Sequence, residues 1–537
     1  MSVSEHQAAK DAVVSGAPLS VAAHLMGGPR VDDLLSRAAR RASARAAIVS
    51  EAGRVSYAQL DADASRCAEA LRSAAGGPGV VIALTLGLDP VFPLAFFGIA
   101  RSGSVAALIN PLLRADGLAH VLRASRAQAA IVAPDVYRRL TGLPSWPPEL
   151  ATIILTHRDA ELAADPAGPP TLRELMDRAC GSELPPASQD PGAVACLQFT
   201  SGTTGPAKAV QLTHRNLTVN AAQTAHAHRV TEQSVLFDYL PTFHVMHLTI
   251  AVTAAATLVL WSGGDLAGSV EAAGQCGATH YYSLPVRLAR LAADPRLAQL
   301  QAPALRAILS GGSALPAAPA RALAQHFGVR VVQGYGLQET SPSTHFDNLD
   351  QPRAGSCGLP LAGTGCRIVD VDTGTVLPVG SKGEIQVRGP QLMKSYLGRE
   401  RAQDIDADGW FSTGDVGYVD ADGYLFLVDR IKDVFKCDNW LVSPTEIEEV
   451  LRRHPRVADC VVVDYPDELS GAVAYALVVP SADGADKAVL TEFVATRLPY
   501  YQHLRYLDFV SEIPRSPTGK IERRRLRDQV RLRVPNS

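Results

Sequence analysis

Short apolar runs alternate with amphipathic stretches in two separate parts of the chain, and each part predicts the same kind of structure. In the first part, apolar runs predict strands at 80–86, 105–109 and 129–133, an apolar helix is predicted at 90–101, and a further helix at 117–125. In the second part, strands are predicted at 281–284, 305–309 and 329–332, and helices at 286–293 and 316–327. Strands that alternate with helices at this spacing are typical of βαβ units with a parallel sheet. The two series therefore predict two related α/β subdomains.

The pattern changes after Gly355. Strands without intervening helices are predicted at 366–371, 383–387, 416–419 and 424–428, with a turn at Asp422–Gly423, which indicates a small β subdomain. A charged break at 429–433 follows, and Ser443-Pro444-Thr445-Glu446 then predicts a helix start with a capping box. Further strands at 460–463 and 474–479 and a helix at 490–497 predict a separate small α+β domain. We therefore expect an α/β fold with a large N-terminal domain (1–430) of two α/β subdomains and a β subdomain, and a small mobile α+β C-terminal domain (431–537).

Composition narrows the class of protein. A chain of 537 residues is too long for one core, and 47% hydrophobic residues with a net charge of −3 indicate a globular protein without affinity for nucleic acid. The eight cysteines form no C-x-x-C pair, so neither a disulfide framework nor a zinc site is predicted. The N-terminus has no signal-peptide pattern, and the longest apolar run, 248–261, is shorter than the roughly 20 residues of a membrane span. We expect a cytoplasmic protein with no membrane span.

One glycine-rich stretch carries the first chemical signal. Between an apolar run and a lysine stand Thr200, Ser201, Gly202, Thr203, Thr204, Gly205 and, after Pro206-Ala207, Lys208. Glycines let backbone N–H groups form a concave nest for anions, and the hydroxyls and the lysine add donors and a charge. The spacing is not that of a Walker A loop. This stretch predicts a loop that binds the phosphates of a nucleotide.

Four further motifs follow this loop in a fixed order. They are Leu240-Pro241-Thr242-Phe243-His244, Gln333-Gly334-Tyr335-Gly336-Leu337-Gln338-Glu339, Trp410-Phe411-Ser412-Thr413-Gly414-Asp415 and Ile513-Pro514-Arg515-Ser516-Pro517-Thr518-Gly519-Lys520. Together with the phosphate loop, they closely resemble the adenylate-forming superfamily, and within it the acyl-CoA synthetases and 4-coumarate–CoA-ligase-like enzymes. The resemblance extends from about residue 45 to residue 527. It implies an ATP-dependent acid–thiol ligase that uses ATP, Mg²⁺ and coenzyme A.

The resemblance also implies the reaction and the nucleotide site. The carboxylate of a small acid attacks the α-phosphate of ATP, which gives an acyl-adenylate and pyrophosphate, and coenzyme A then displaces AMP. Such a reaction between anions depends on positioning and on preorganised positive charge. The implied nucleotide ligands, besides the phosphate loop, are Glu339 for Mg²⁺, Tyr335 with Gly334 and Gly336 for adenine, Gly312, Ser313 and Ala314 for the opposite wall, and Asp415 with Arg430 for the ribose.

Three residues are implied to act in the chemical steps themselves. By resemblance, Lys520 bridges the carboxylate and the α-phosphate during adenylation only. Lys432 matches the hinge about which the small domain rotates between the two steps. His244 borders the acyl site, where we interpret it as a gate between the acyl and thiol sites, whereas the nearby His247 is interpreted as structural.

Two departures from the family pattern affect these expectations. Gln338 stands where the family has a threonine that contacts the α-phosphate, although its amide can still donate a hydrogen bond. Asn439 stands where the family has a glycine, in a loop beginning at Lys436 that lines the pantetheine tunnel. Asparagine tolerates positive φ, but its side chain would narrow that passage.

Three alternatives remain open at this point. Gln338 is compatible with a split-function enzyme that adenylates weakly and mainly thioesterifies a preformed adenylate. The acceptor could be the phosphopantetheine of a carrier protein, because it ends in the same thiol as coenzyme A. A non-catalytic nucleotide-binding homologue is the third, and the presence of Lys520 argues against it. The sequence does not identify the acid; the small Gly311, Gly312 and Gly334 favour a bulky or ring-containing one.

Overall fold

The computed structural model describes residues 13–26, 30–143, 145–165, 167–179, 190–200, 207–240, 244–438, 440–482, 484–515 and 521–533. The chain divides into two compact units. The large unit comprises Ser15–Cys366 and Val387–Phe411. The small unit comprises Met1–Val14, Arg367–Gln386 and Ser412–Ser537.

The strands, numbered in chain order, are β1 Val13–Ser15, β2 Ala46–Ser50, β3 Gly53–Ser56, β4 Val81–Thr85, β5 Val105–Leu108, β6 Ala129–Val132, β7 Thr152–Leu155, β8 Val194–Phe199, β9 Ala209–Thr213, β10 Val235–Asp238, β11 Thr257–Leu260, β12 His280–Ser283, β13 Ala307–Ser310, β14 Arg330–Gly336, β15 Ser343–Phe346, β16 Leu359–Pro360, β17 Gly365–Val369, β18 Gly383–Arg388, β19 Ser395–Tyr396, β20 Phe411–Val419, β21 Leu425–Arg430, β22 Phe435–Cys437, β23 Trp440–Val442, β24 Val457–Asp467, β25 Gly471–Pro480 and β26 Leu504–Phe509.

The α-helices are α1 Val31–Arg41, α2 Tyr57–Ala75, α3 Val91–Ser102, α4 Ala115–Ser125, α5 Pro134–Thr141, α6 Ala160–Ala163, α7 Leu172–Arg178, α8 His214–Ala227, α9 Val245–Ala254, α10 Leu266–Gln275, α11 Pro285–Ala292, α12 Ala317–Phe327, α13 Pro444–Leu451, α14 Lys487–Ala495 and α15 Arg523–Arg533. Local signals explain many of their ends. Ser56, for example, accepts a hydrogen bond from the backbone of Gln59 at the start of α2, and Gly76 ends that helix at φ 99°.

The two predicted series of βαβ units form two different sheets of the large unit. The first series lies in a seven-stranded sheet with the order β19-β9-β8-β5-β4-β6-β7. The second series lies in a nine-stranded sheet with the order β16-β15-β14-β13-β12-β10-β11-β2-β3. The predicted parallel pairing is present in both, as in β4 with β5 and β6, and in β12 with β13. The predicted α/β fold is confirmed.

Strands from distant parts of the chain complete both sheets. The early hairpin β2–β3 joins the nine-stranded sheet by pairing with β11, although it precedes every strand of the first series. The two-residue strand β19 joins the edge of the seven-stranded sheet by pairing with β9. These pairings bring residue 396 beside residue 210, which matters for the site described below.

The small unit contains the predicted β and α+β regions. Strands β1, β17, β18, β20 and β21 form one sheet, and β22 to β26 form another. The second sheet packs with α13, α14 and α15 around a core that includes Ile447, Val461 and Leu477. Ser443 caps α13 as predicted, but the predicted capping box is incomplete, because the Glu446 carboxylate binds Lys382 and Gln502 instead of turning back to the cap. The domain boundary at residues 430/431 stays a prediction.

No helix within the described ranges is long and apolar enough to cross a membrane. The apolar run at 248–261 is divided between α9 and β11, and Ala255 at φ 55° ends the helix between them.

Candidate active site

The residues predicted to contact adenine lie at the carboxyl edge of the nine-stranded sheet. Parallel strands β10, β12 and β13 end at Asp238, Ser283 and Ser310, and the neighbouring β14 ends at Gly336. In open α/β sheets, ligands bind outside the carboxyl ends of the strands. The predicted Gly312, Ser313 and Ala314 directly follow β13, and Gly334, Tyr335 and Gly336 lie on β14, so the fold brings these two segments to one edge.

Glycine is required at this edge for two different reasons. At Gly336, a Cβ atom would lie 1.9 Å from the carbonyl oxygen of Pro342, so no side chain fits. Gly312 has a φ of 87°, in the region that favours glycine. A Cβ atom on Gly311, by contrast, would meet nothing closer than the Gly334 carbonyl oxygen at 3.9 Å. Tyr335 is buried, and its carbonyl accepts a hydrogen bond from the Thr344 hydroxyl.

The phosphate loop is closed at its base by its two flanking residues. Ser201, Gly202, Thr203, Thr204 and Gly205 lie outside the described residues. The Thr200 N–H donates to the Lys208 carbonyl at 3.1 Å, and the Lys208 N–H donates to the Thr200 hydroxyl at 3.2 Å. Because β8 and β9 pair in antiparallel fashion on either side, these bonds fix where the loop begins and ends.

Lys208 and Glu339 meet at a tyrosine that the sequence analysis missed. The Tyr396 hydroxyl donates to Oε1 of Glu339 at 2.6 Å, and both side chains are buried. The Lys208 ammonium lies over the ring of Tyr396, 4.6 Å from its centroid. Burial, and then the charge of Glu339, raise the pKa of Tyr396, so the phenol acts as a donor. The sequence feature that could have pointed to Tyr396 is a single aromatic residue between the basic residues Lys394 and Arg399.

Glu339 fits the single carboxylate ligand that the family implies for Mg²⁺. Its Oε1 is bound by Tyr396, and its Oε2 accepts no hydrogen bond from any residue in the described part of the chain. No group of three or more His, Cys, Asp or Glu side chains with metal-binding geometry occurs among the described residues. Mg²⁺ commonly uses one or two protein carboxylates together with substrate phosphates, so this donor set suits it.

Gln338 places a buried polar atom beside this carboxylate. Its Oε1 is shielded from solvent and has no hydrogen-bond partner among the residues that the structure describes. Buried polar atoms are nearly always hydrogen-bonded, so we expect this amide to form a hydrogen bond with a group outside the described residues.

His244 begins the helix α9 and is held as a neutral ring. Its Nδ1 accepts from the Met246 N–H at 3.2 Å, which caps the helix. Burial and the neighbouring His247 lower the pKa of His244 to about 4, against the opposite effect of Asp238. His247 itself binds Asp238, with 3.0 Å between Nδ1 and Oδ2, in accordance with a structural role.

The remaining predicted residues belong to the small unit. Asp415 and Arg430 are directly paired on β20 and β21, and their side chains form an ion pair at 3.2 Å. Lys436 forms an ion pair with Asp372, and Lys432 lies in the turn between β21 and β22. Lys520 and Asn439 lie outside the described residues.

Comparisons with known proteins identify the family. A model of the AMP-binding enzyme family matches residues 35–397, and a model of the AMP-binding enzyme C-terminal domain matches residues 446–520. The chain belongs to the AMP-binding enzyme family. A 4-coumarate–CoA ligase 5 of Oryza sativa subsp. japonica is 32% identical over 500 residues, with 90% of each chain covered.

Solved structures agree with this assignment. The anthranilate CoA ligase AuaEII in complex with anthranoyl-AMP has a TM-score of 0.83 at 25% identity, with 94% of this chain and 98% of that chain covered. ATP-bound MatB from Rhodopseudomonas palustris has a TM-score of 0.82 at 25% identity, with 94% and 99% covered. The predicted adenylate-forming family is thereby confirmed. The predicted enzyme class is confirmed with it: an AMP-forming acid–CoA ligase that uses ATP, Mg²⁺ and coenzyme A.

Proposed function

We propose that this ligase activates an aromatic carboxylic acid as its acyl-adenylate and transfers the acyl group to coenzyme A, with the residue roles that follow. Lys208 binds a phosphate of ATP, Glu339 holds Mg²⁺, Tyr335 stacks on adenine, and Asp415 accepts from the ribose hydroxyls. Mg²⁺, when bound, neutralises the charge of the phosphates that leave as pyrophosphate.

One observation carries the nucleotide part of this proposal. Lys208 and Glu339, which are 131 positions apart in the sequence, contact the same buried tyrosine, Tyr396, one at the ring face and the other at the hydroxyl. A cation for phosphate and a carboxylate for a metal are thus held side by side, at the base of a glycine-rich loop. Phosphoryl chemistry needs such preorganised charges around the nucleotide.

Two observations support an aromatic acid. A Cβ atom on Gly311 would meet only the Gly334 carbonyl oxygen, at 3.9 Å, so the described residues leave room beside Gly311. The relatives also include ligases whose names specify aromatic acids, 4-coumarate and anthranilate. A ring-containing acid is the bulky substrate that both observations favour.

The roles of three further residues rest on the family motif. Lys520 would stabilise the charge that develops between the carboxylate and the α-phosphate, Lys432 would serve as the hinge between the two half-reactions, and His244 would border the acyl site as a neutral gate. The low pKa of His244 supports the gate, because a ring with a pKa of about 4 is neutral at physiological pH and too weak a base for efficient general acid–base catalysis.

Gln338 favours a second candidate function, an enzyme that adenylates weakly and mainly thioesterifies a preformed adenylate. In the orientation that the structure shows, its buried Oε1 is an acceptor, and an acceptor that kept this orientation toward an anionic α-phosphate would oppose adenylation. The two candidates differ in which half-reaction is fast.

The deciding experiment reads the two half-reactions separately. The purified full chain is incubated with ATP, Mg²⁺, coenzyme A and matched aromatic and aliphatic acids, and pyrophosphate and acyl-CoA are quantified. We expect acid-dependent pyrophosphate release with aromatic acids, and loss of that release in Lys520→Ala, while CoA transfer from a supplied acyl-adenylate persists. Equal loss of both steps would contradict the role of Lys520, and transfer without pyrophosphate release in the wild type would select the second candidate. A parallel incubation in which a carrier protein replaces coenzyme A shows which of the two thiols accepts the acyl group.

We further propose that the enzyme works in the cytoplasm. ATP and coenzyme A are both available there. Among the described cysteines, Cys67, Cys196, Cys276, Cys366, Cys437 and Cys460 form no disulfide, which suits a reducing compartment.

A further inference from the structure

A tyrosine outside the five sequence motifs is built into the nucleotide site. Tyr396 is half of the two-residue strand β19, and such a short strand could not hold its place without support from its neighbours. The Lys394 N–H donates to the Gln211 carbonyl at 2.9 Å, and the Leu397 N–H donates to the Ala209 carbonyl at 2.8 Å. The Gln211 side chain also donates to the Ser395 hydroxyl at 2.9 Å. The backbone of Tyr396 is therefore fixed to the strand that follows the phosphate loop.

The hydroxyl and the ring face of Tyr396 contact two different charged groups. Its hydroxyl donates to Oε1 of Glu339, while its face carries the Lys208 ammonium. The Met393 N–H donates to the Glu339 carbonyl at 2.8 Å, so the segment that carries the tyrosine also holds the backbone of the glutamate. With Oε1 occupied, Oε2 is the oxygen of Glu339 that remains for a ligand within the described structure.

We propose that Tyr396 is the positioning residue of the metal carboxylate: its hydroxyl orients Glu339 so that Oε2 meets Mg²⁺. The inference rests on the proposed role of Glu339. Mg²⁺ demands near-octahedral geometry, and outer partners that orient a ligating carboxylate typically contribute 10- to 100-fold to metal affinity. A carboxylate on a 3₁₀ turn, as at Gln338–Thr340, would otherwise rotate about its last bond.

The primary test removes only the hydroxyl. Tyr396→Phe keeps the ring under Lys208, and the binding of Mn²⁺ is measured by electron paramagnetic resonance with the protein bound to α,β-methylene-ATP. We expect Mn²⁺ affinity to fall about tenfold or more, whereas the affinity for the metal-free nucleotide stays within about twofold. Tyr57→Phe is the matched control, because Tyr57 is a buried tyrosine whose hydroxyl donates to the Ala256 carbonyl, outside the site. An unchanged Mn²⁺ affinity in Tyr396→Phe would overturn the proposal.

A double-mutant cycle separates the inference from the proposed role of Glu339. If Tyr396 acts through Glu339, Tyr396→Phe has no further effect on Mn²⁺ affinity in a Glu339→Gln background. Additive losses would show that Tyr396 does not act through this carboxylate. Full Mn²⁺ affinity in Glu339→Gln alone would refute the metal role of Glu339 and the inference with it.

A second measurement avoids a variant that fails to fold. 3-Fluorotyrosine placed at position 396 retains the hydroxyl, and its ¹⁹F resonance reports the charge on the partner carboxylate. We expect the resonance to shift when Mg²⁺ joins the bound nucleotide, and to stay in place when the nucleotide binds alone. If the resonance does not shift when Mg²⁺ is added, the contact between Tyr396 and Glu339, on which the inference depends, is contradicted.

Discussion

Gln338 and Glu339 are adjacent in the chain, yet their side-chain oxygens have opposite environments. Oε1 of Glu339 receives the Tyr396 hydroxyl, whereas Oε1 of Gln338 is buried without a partner in the described structure. The oxygen and nitrogen of an amide exchange places when its last bond rotates by a half-turn, and nearly all buried polar atoms are paired. Such a rotation would aim the Nε2 of Gln338 into the same space as a donor. A phosphate oxygen of ATP is the kind of acceptor that this donor needs.

This geometry predicts that Gln338 replaces the threonine of the family motif as a donor. Gln338→Leu, which replaces the amide by an apolar branched group, should lower acid-dependent pyrophosphate release about 100-fold, the usual cost of losing one donor to a developing anion. Gln338→Thr should stay within about tenfold of the wild type. Gln301→Leu, at an exposed glutamine, is the control. Unimpaired release in Gln338→Leu would show that adenylation does not use this amide.

At the scale of elements, local pattern predicted the strands and helices of the two βαβ series but not the strands that complete their sheets. The predicted strand at 105–109 and helix at 316–327 match β5 and α12 within one residue at each end. Apolar runs suffice for the strands, because central strands such as β6 and β13 are buried on both faces and are therefore largely apolar. The two-residue strand β19 has no periodicity of its own, and it forms because the chain returns to β9. The sequence motifs therefore identify Lys208 and Glu339 as candidate site residues. Tyr396 could not be identified in this way, because it reaches them through the long-range pairing of β19 with β9.

The helix α13 illustrates how an element is fixed by charge as well as by its cap. Glu448 is almost fully buried, and its carboxylate binds Arg523 of α15, Arg452 and the Val462 N–H of β24. One side chain thus joins two helices and a strand of the small unit. A buried charge network of this kind is costly to break on one side, because the remaining charge keeps its desolvation penalty.

Glu448→Gln should therefore destabilise the small unit by about 3 kcal/mol. The measurement is amide hydrogen exchange in peptides from Val457–Asp467, where protection should fall, while peptides from Ala307–Gly336 in the large unit should be unaffected. Lys487→Met is the matched control: it breaks the half-exposed pair with Asp508, and the change should stay below about 1 kcal/mol. Comparable effects of the two substitutions would show that the buried network does not stabilise this unit.

At the scale of the whole molecule, the large unit buries several histidines as neutral rings. Burial lowers the pKa of His345 to about 3, burial and Arg30 lower that of His214 to about 3, and burial and His247 lower that of His244 to about 4. In the unfolded chain, these rings return to the ordinary pKa of about 6.5. The folded state therefore resists protonation in a pH range in which the unfolded state accepts protons.

The sign of the resulting pH dependence follows directly. Between about pH 6.5 and pH 4 the unfolded chain binds more protons than the folded chain, so the free energy of unfolding falls as the pH falls. Each of these histidines contributes up to about 1.4 kcal/mol per pH unit in that range. Above about pH 6.5 both states are neutral at these positions, and this dependence should vanish.

His345 allows this prediction to be tested, because its Nε2 is buried with no hydrogen-bond partner among the described residues and its Nδ1 is hydrogen-bonded only to Thr344 there. Its ring also packs against that of Tyr335, with 6.0 Å between the centroids, so the test measures stability and not activity. The test is the urea dependence of amide exchange in peptides from Ala307–Gly336 at pH 7.0 and pH 5.0. From pH 7.0 to pH 5.0, His345→Gln should lose about 2 kcal/mol less stability than the wild type, since one proton no longer binds on unfolding. His226→Gln, at an exposed histidine, should retain the wild-type dependence. If His345→Gln retains the wild-type pH dependence as well, the ring of His345 must be protonated in the folded state. Burial of this ring would then not cause acid sensitivity.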